Sequence, residues 1–401
     1  MISDLIEASV KAAGPAHDAH VHTAFADAGR REAFLPTACV QNHAANLHAL
    51  ANGDLLCVWF GGTQEGIPDV SIYMSRLAAG SGISGIWSAP QKLSDDPTRS
   101  EQNPVLFTAP DGRLWLTYTA QLSGHQNTAF VRRRISSDGG LTWGPIDTLF
   151  DRPGTFVRQP IVVAPDGAWI CPVFLCRTEP GERWVGNNDI SAVMVSSDHG
   201  ATWREHEVPE SVGCVHMNVQ VLQDGSLLAL FRSRWADFVY LSRSQDGRAW
   251  SAPQPTELPN NNSSIQFVAL RNGHLALVLN ESDASHSSER RASLYDDIED
   301  SEDSGELRDQ GASSRGAAFW GAPRAPMSLA ISEDGGKTWR RRRNLEIGDG
   351  YCMTNNSADQ RNREYSYPSI VQTADGALHV AFTYFRQRIK YVRVEESWVR
   401  G

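Results

Sequence analysis

Six polar side chains recur at one place in a repeating unit. His43, Asn103, Gln159, His216, Ser264 and Tyr367 each stand eight to ten residues before the glycine of an Asn-Gly or Asp-Gly turn. Groups that share one position in a repeat can converge around an axis, and such a convergence makes a small-ligand site. Imidazole changes charge near neutral pH, and phenol can act as acid, base or nucleophile, so the set has the means for proton transfer or covalent chemistry. Arg232, in Leu230-Phe-Arg-Ser, and Arg324, eight residues before Ser332, add guanidinium groups that hold a carboxylate through paired hydrogen bonds. Glu65 and Asp69 lie in the glycine-rich stretch Trp59-Phe-Gly-Gly-Thr-Gln-Glu-Gly-Ile-Pro-Asp69, where a carboxyl group raised by burial would serve as a general acid. Each residue also has a structural reading. Single histidines are commonly satisfied core groups, arginines face solvent, Asp69 stabilises a turn, and a polar ring can plug an axial channel and hold water. The joint pattern favours a ligand site.

The elements that would position these groups are legible in the turns. The glycines Gly53, Gly112, Gly167, Gly225, Gly273 and Gly376 each precede an apolar alternating strand, such as Ser226-Leu-Leu-Ala-Leu-Phe. Most of their spacings fall between 48 and 59 residues, one four-stranded blade per repeat, so the count predicts an all-β, six-bladed β-propeller. An independent repeat, Ser-x-Asp-x-Gly-x-x-Trp, occurs at Ser136 to Trp143, Ser196 to Trp203 and Ser332 to Trp339. A copy one residue short spans Ser244 to Trp250, and Trp87 is the relic of a fifth. In such an Asp box the carboxylate accepts backbone N–H bonds while the Trp anchors the hairpin, which makes these aspartates turn residues before calcium ligands.

The last spacing is 103 residues, and part of the excess lies in 283–316. There Asp296, Asp297, Glu299, Asp300, Glu302 and Asp303 would repel one another, which predicts a long inserted loop, mobile or forming a rim over the pocket. A hidden seventh blade competes with that reading. The expected domain plan is an N-terminal extension over 1–36, with a short amphipathic helix from Met1 to Gly14, followed by the propeller over 37–395.

Composition narrows the partners. The chain has 401 residues, 41% of them hydrophobic, with 12 Trp and 33 Gly, which suits short strands and tight turns. A formal charge of -10 argues against nucleic acid, which needs a basic surface, and disfavours an anionic membrane. A few arginines in a sheltered pocket still suffice for a small anion. The first residues lack the apolar core of a secretory signal, and no apolar run of eighteen residues occurs. The six cysteines lie scattered in apolar stretches without metal-ligand spacing and read as reduced core thiols, so a cytoplasmic protein without metal or other cofactor is expected.

These features resemble the sialidase, or neuraminidase, superfamily, and more closely its divergent BNR-repeat branch, over roughly residues 40 to 393. The resemblance rests on His43-Ala-Ala-Asn-Leu, Trp59-Phe-Gly-Gly with Glu65-Gly-Ile-Pro-Asp-Val, Asn103-Pro-Val-Leu-Phe, Gln159-Pro, Phe231-Arg-Ser, Arg324 and Tyr365-Ser-Tyr-Pro-Ser-Ile. It implies an arginine clamp on a substrate carboxylate, a Tyr nucleophile assisted by Glu, and an Asp acid/base. By position Tyr367 matches the nucleophile, Arg324 the third arginine and Arg232 the second, while Glu65 or Asp69 falls where the acid/base would be. Two places depart: His43 replaces the first arginine, of an Arg-Ile-Pro motif, and His216 stands where the assisting Glu is expected.

Three functions follow. The first is an exo-glycosidase acting on an α-linked acidic sugar, with Tyr367 as nucleophile, His216 its partner, and Asn103, Gln159 and Ser264 among the substrate contacts. The second is a lyase performing β-elimination at a uronic acid, with His43 or His216 as base and Tyr367 as acid. The third is a non-catalytic propeller that binds glycans or protein.

Overall fold

The computed structural model describes residues 18–80, 84–178, 182–298 and 316–400. Its strands form six antiparallel sheets, each wound from an inner strand outwards. Blade one contains Gln41–Ala49, Leu55–Gly62, Ser71–Leu77 and Gln91–Lys92. The inner strands of blades two, four, five and six are Ser100–Thr108, Cys214–Val221, Gln266–Ala269 and Tyr365–Gln372. In blade three the inner edge is broken into Thr155–Phe156 and Val162–Val163, both paired with Trp169–Leu175. The architecture is the expected six-bladed β-propeller, and the described residues form no seventh sheet.

The second strands read as continuous apolar runs because both of their faces meet a neighbouring blade. Leu56, Val58 and Phe60 of blade one, for example, pack with Leu106, Leu114 and Leu116 of blade two. Each such buried side chain contributes about 1.5 to 3 kcal/mol relative to exposure. The six repeat glycines adopt φ between +82° and +91°, the left-handed conformation that closes the first hairpin of every blade. The Asp boxes close the outer hairpins. In the first, the Asp138 carboxylate accepts from the Thr142 backbone N–H at 2.9 Å, and Ser136 Oγ accepts from Gly140 N at 2.8 Å. Asp198 and Asp334 repeat the arrangement. Trp87 is buried and bridges to Leu77 as Trp250 bridges to Ser244, which places the relic box in the same setting.

Two expectations are corrected. The boundary at residue 36 cuts through a blade: Asp27–Phe34 pairs with Arg388–Val394, so N-terminal residues supply the outer strand that closes the ring, and His22–Ala24 adds a fifth. The helix expected over Met1 to Gly14 lies outside the described residues. The insertion, in turn, is not a self-repelling acidic loop throughout. Arg291 pairs with both Asp296 and Asp297, and Asp297 accepts from Asn355 N at 2.7 Å. With that repulsion bridged by one guanidinium, Leu294, Tyr295 and Ile298 are buried against Phe156, Phe174, Trp184 and Trp320. Residues 299–315, which carry the remaining acidic groups, lie outside the described residues.

The inner strands share an irregularity that aims side chains at the axis. In blades one, two, four and six the register slips once, between His43 and Asn46, Gln102 and Val105, Val215 and Asn218, and Ser366 and Ser369. At each slip one residue takes a positive φ: Ala44 at +61°, Asn103 at +52°, His216 at +55° and Tyr367 at +50°. Such bulges bend the strand and redirect the side chain, and a non-glycine residue held there costs roughly 1 to 3 kcal/mol. The structural equivalent of Tyr367 in blade one is therefore Ala44. His43 precedes the slip by one residue, a displacement that counting from the turn does not reveal.

Candidate functional site

Tyr367 stands at the centre of the convergence. Its ring centroid lies 4.3 Å from that of His43 and 5.6 Å from that of His216. The guanidinium carbons of Arg158, Arg232 and Arg324 lie 5.4, 5.5 and 5.6 Å from the same ring. Arg232 Nη1 donates to the phenol oxygen at 2.6 Å and lies 3.4 Å from His216 Nε2. A guanidinium can only donate, so His216 Nε2 is the acceptor and the ring proton sits on Nδ1. That Nδ1 has no hydrogen-bond partner among the described residues, nor has either ring nitrogen of His43. Burial, reinforced by Arg386 and Arg324 at His43 and by Arg232 and Arg234 at His216, holds both imidazoles well below their ordinary pKa. Both are neutral at physiological pH.

The charges follow a chain. Glu65 binds Arg386 Nη1; Arg386 Nε lies 2.9 Å from Glu364; Glu364 accepts from Arg324 Nη1 at 3.2 Å and from Ser366 Oγ at 2.7 Å. Burial alone would raise the Glu364 carboxyl, but Arg324 and Arg386 outweigh it and hold it below the usual range. Arg158 and Arg232 have no carboxylate partner among the described residues. Arg158 Nη2 donates instead to the carbonyls of Ala45 at 3.1 Å and Tyr367 at 3.2 Å, leaving Nε and Nη1 without partners among the described residues. Burial lowers the Arg232 guanidinium to about 9 and that of Arg158 to about 10. Four guanidinium groups thus face two carboxylates, an excess that a ligand anion would neutralise.

The residues singled out in the sequence divide accordingly. His43, His216, Tyr367, Arg232 and Arg324 come together, and Glu65 joins them through Arg386. Asp69 does not. It is exposed and turned back on its own loop, its carboxylate accepting from Thr63 N at 3.1 Å and Thr63 Oγ at 2.6 Å. Asn103 Oδ1 and Ser264 Oγ are both buried and have no partner among the described residues. Gln159 is spent on the axis itself, donating to Ile265 O and accepting from Gln266 Nε2, both at 2.8 Å.

Four residues escaped the sequence reading. Arg158 directly precedes the recognised Gln159-Pro, Glu364 stands three before Tyr367, and Asn262 two before Ser264. Arg386 sits in the turn between Leu378–Tyr384 and Arg388–Val394, where an arginine ordinarily points to solvent. The walls are aromatic. Trp320 lies under both Arg232 and Arg234, at 5.8 and 5.0 Å, and Arg234 is fixed by a buried pair with Asp189 at 2.7 Å. Tyr295, from the insertion, hydrogen-bonds Gln121 and Gln126 above. Tyr367, Glu65, Asn103 and Arg324 remain only 4 to 6% exposed, so the site is closely covered.

The sequence matches the family model described as BNR repeat-like domain over residues 53–380. The chain belongs to the BNR repeat-like domain family. Solved structures agree with this placement in fold. A Hadza microbial sialidase superposes with a TM-score of 0.65 at 13% identity, over 90% of this chain and 66% of its own, so this BNR-repeat chain spans about two thirds of that protein's length. A Dyadobacter fermentans protein of unknown function gives 0.64 at 15% identity, over 92% of this chain and 99% of its own. The intramolecular trans-sialidase from Ruminococcus gnavus gives 0.62 at 13% identity, covering 90% of this chain and 95% of its own. No curated protein matches. At 13 to 15% identity these likenesses show a shared fold, the one that the sialidases among them also have.

Proposed function

We propose that this protein is a carbohydrate-active enzyme that cleaves an α-linked acidic sugar from a glycan or oligosaccharide at the axial site. The observation that carries this reading is the 2.6 Å bond from Arg232 Nη1 to the Tyr367 phenol oxygen, in a buried site with uncompensated positive charge. A guanidinium there stabilises negative charge on the oxygen that attacks the anomeric carbon, and the dry surroundings strengthen the effect. Arg232, Arg324 and Arg158 would hold the sugar carboxylate, and neutral His216 would take the phenol proton as Tyr367 bonds the anomeric carbon; Glu65, once freed from Arg386, would protonate the departing oxygen as the glycosidic C–O bond breaks and then take a proton from the water that releases the sugar. The sialidase-like fold supports the assignment of substrate class.

A second reading is favoured by one observation: both carboxylates considered for acid/base duty are engaged, Glu65 by Arg386 and Asp69 by Thr63. Elimination at a uronic acid needs neither. The guanidinium groups would neutralise the carboxylate, a neutral imidazole of His43 or His216 would take the adjacent C–H proton, and Tyr367 would protonate the departing oxygen. The electron pair of the broken C–H bond becomes the new C=C bond as the C–O bond breaks. Purified protein incubated with sialosides, glucuronides and polyuronates tests both. Free acidic sugar supports hydrolysis, an ultraviolet-absorbing unsaturated uronate supports elimination, and neither product from any substrate overturns the enzymatic reading in favour of a binding propeller.

A further inference from the structure

Arg232 is oriented from its far side by a neutral group. Its Nε donates to Asn262 Oδ1 at 2.7 Å, and Asn262 Nδ2 donates to the Phe319 carbonyl at 2.8 Å. The two bonds leave the amide one orientation, because a flipped amide would set its NH2 against the guanidinium N–H and its oxygen against a carbonyl. Asn262 is itself held in a left-handed conformation, φ +56°, with its N–H on Asn260 Oδ1 at 3.0 Å. Asn260 Oδ1 also accepts from Ser233 N at 3.0 Å, and Asn261 Nδ2 donates to Pro323 O at 2.7 Å. This Asn260-Asn261-Asn262 loop therefore ties the end of the Arg232 strand to the residues that follow the insertion.

The choice of amide over carboxylate matters for charge. Arg324 and Arg386 are paired with Glu364 and Glu65, whereas Arg232 receives an oxygen without a negative charge. With Nε on Asn262 and Nη1 on Tyr367, Nη2 is left without a partner among the described residues. We infer that Asn262 is a positioning residue, which fixes Arg232 against Tyr367 while leaving its charge and its Nη2 edge for a ligand carboxylate. This inference rests on the acidic-sugar reading for its ligand but not for its geometry.

Two variants test it. Asn262→Asp keeps the size of the side chain and would pair with Arg232, spending the charge and repelling a ligand carboxylate. Calorimetric titration with glucuronate, galacturonate and N-acetylneuraminate should show at least tenfold weaker binding than wild type with unchanged circular dichroism, while the thermal midpoint falls by the loss of the Asn262 Nδ2 bond to the Phe319 carbonyl. Unchanged affinity would overturn the inference, as would an equal loss for an uncharged sugar amide, which marks a merely structural role. Asn262→Ala removes the acceptor, and its crystal structure should show Arg232 withdrawn from the Tyr367 oxygen; retention of that contact overturns the positioning role. Should wild type bind none of the three acids, the acidic-sugar reading falls by itself, and the Asn262→Ala structure still decides whether Asn262 positions Arg232.

Discussion

Arg232 and Tyr367 stand 135 positions apart in sequence and meet through a 2.6 Å hydrogen bond at the propeller axis. Tyr367 reaches that point from a strained bulge in blade six, and Arg232 from the end of Leu227–Ser233 in blade four. Neither blade alone has the pair.

Replacing Tyr367 by Phe removes the reacting oxygen and little else. The expected outcome is a loss of turnover of about 10³-fold with unchanged circular dichroism, since general acid–base or nucleophilic groups are worth on the order of 10² to 10⁴. Arg232→Lys should also fail, by about 10²-fold in kcat, because an ammonium cannot hold Tyr367 and Asn262 at once. Steady-state kinetics on the substrate identified in the product screen check both, and full activity of Tyr367→Phe would remove the phenol from the mechanism.

Glu65 and Asp69 separate cleanly. Glu65→Gln should slow unactivated glycosides by about 10²-fold while sparing aryl glycosides whose leaving groups need no proton, if Glu65 is the acid. Asp69→Ala should change kcat less than about threefold and lower the thermal midpoint slightly, since its carboxylate holds Thr63 of its own loop. Full activity of Glu65→Gln on both substrate types would favour elimination, which needs neither carboxylate.

Stability should fall as the solution is acidified below neutrality. His43, His216 and His379 are all buried with pKa values held down, that of His379 to about 4 by burial and by Arg393. Between those values and the ordinary 6.5 the unfolded chain binds more protons, so unfolding free energy rises with pH, by about 1.4 kcal/mol per pH unit for each such histidine. The stabilisation is complete above about pH 6.5 and is progressively lost below it. Urea midpoints measured from pH 7.5 to 5 check the sign. A flat profile would mean that these imidazoles are not buried as described.

Gly66→Ala probes the seating of the insertion. Gly66 has φ +101°, and a Cβ there would stand 2.6 Å from Tyr295 Cε1 and 2.9 Å from Ile298 Cδ1. The substitution should cost roughly 1 to 3 kcal/mol and raise hydrogen exchange over 291–298 while blade strands keep their protection. Unchanged exchange there would show that the segment does not rest on the Glu65 loop.

Much of this molecule was legible from local pattern. Blade number followed from Asp-Gly and Asn-Gly turns and from Asp boxes because each is a short-range device: the glycine conformation and the carboxylate-to-backbone bonds are completed within a few residues. Tyr367 and His216 were found because they hold recurrent positions, Arg232 because it closes an apolar strand, and Arg324 from its place before the last Asp box and from the family resemblance. Tertiary structure alone decided the rest. Arg158 and Arg386 look like surface arginines until the ring closes and brings Arg158 to the Tyr367 ring and Arg386 between Glu65 and Glu364, and Glu364 acquires its role only between Arg324 and Arg386. Asp69, a second acid/base candidate whose other reading was a turn residue, turns to its own loop, where Thr63 lies within reach. The acidic run of the insertion read as repulsive until Arg291 was placed between Asp296 and Asp297. A buried charge is settled by partners from distant blades, and which partners arrive is a property of ring closure, not of any one repeat.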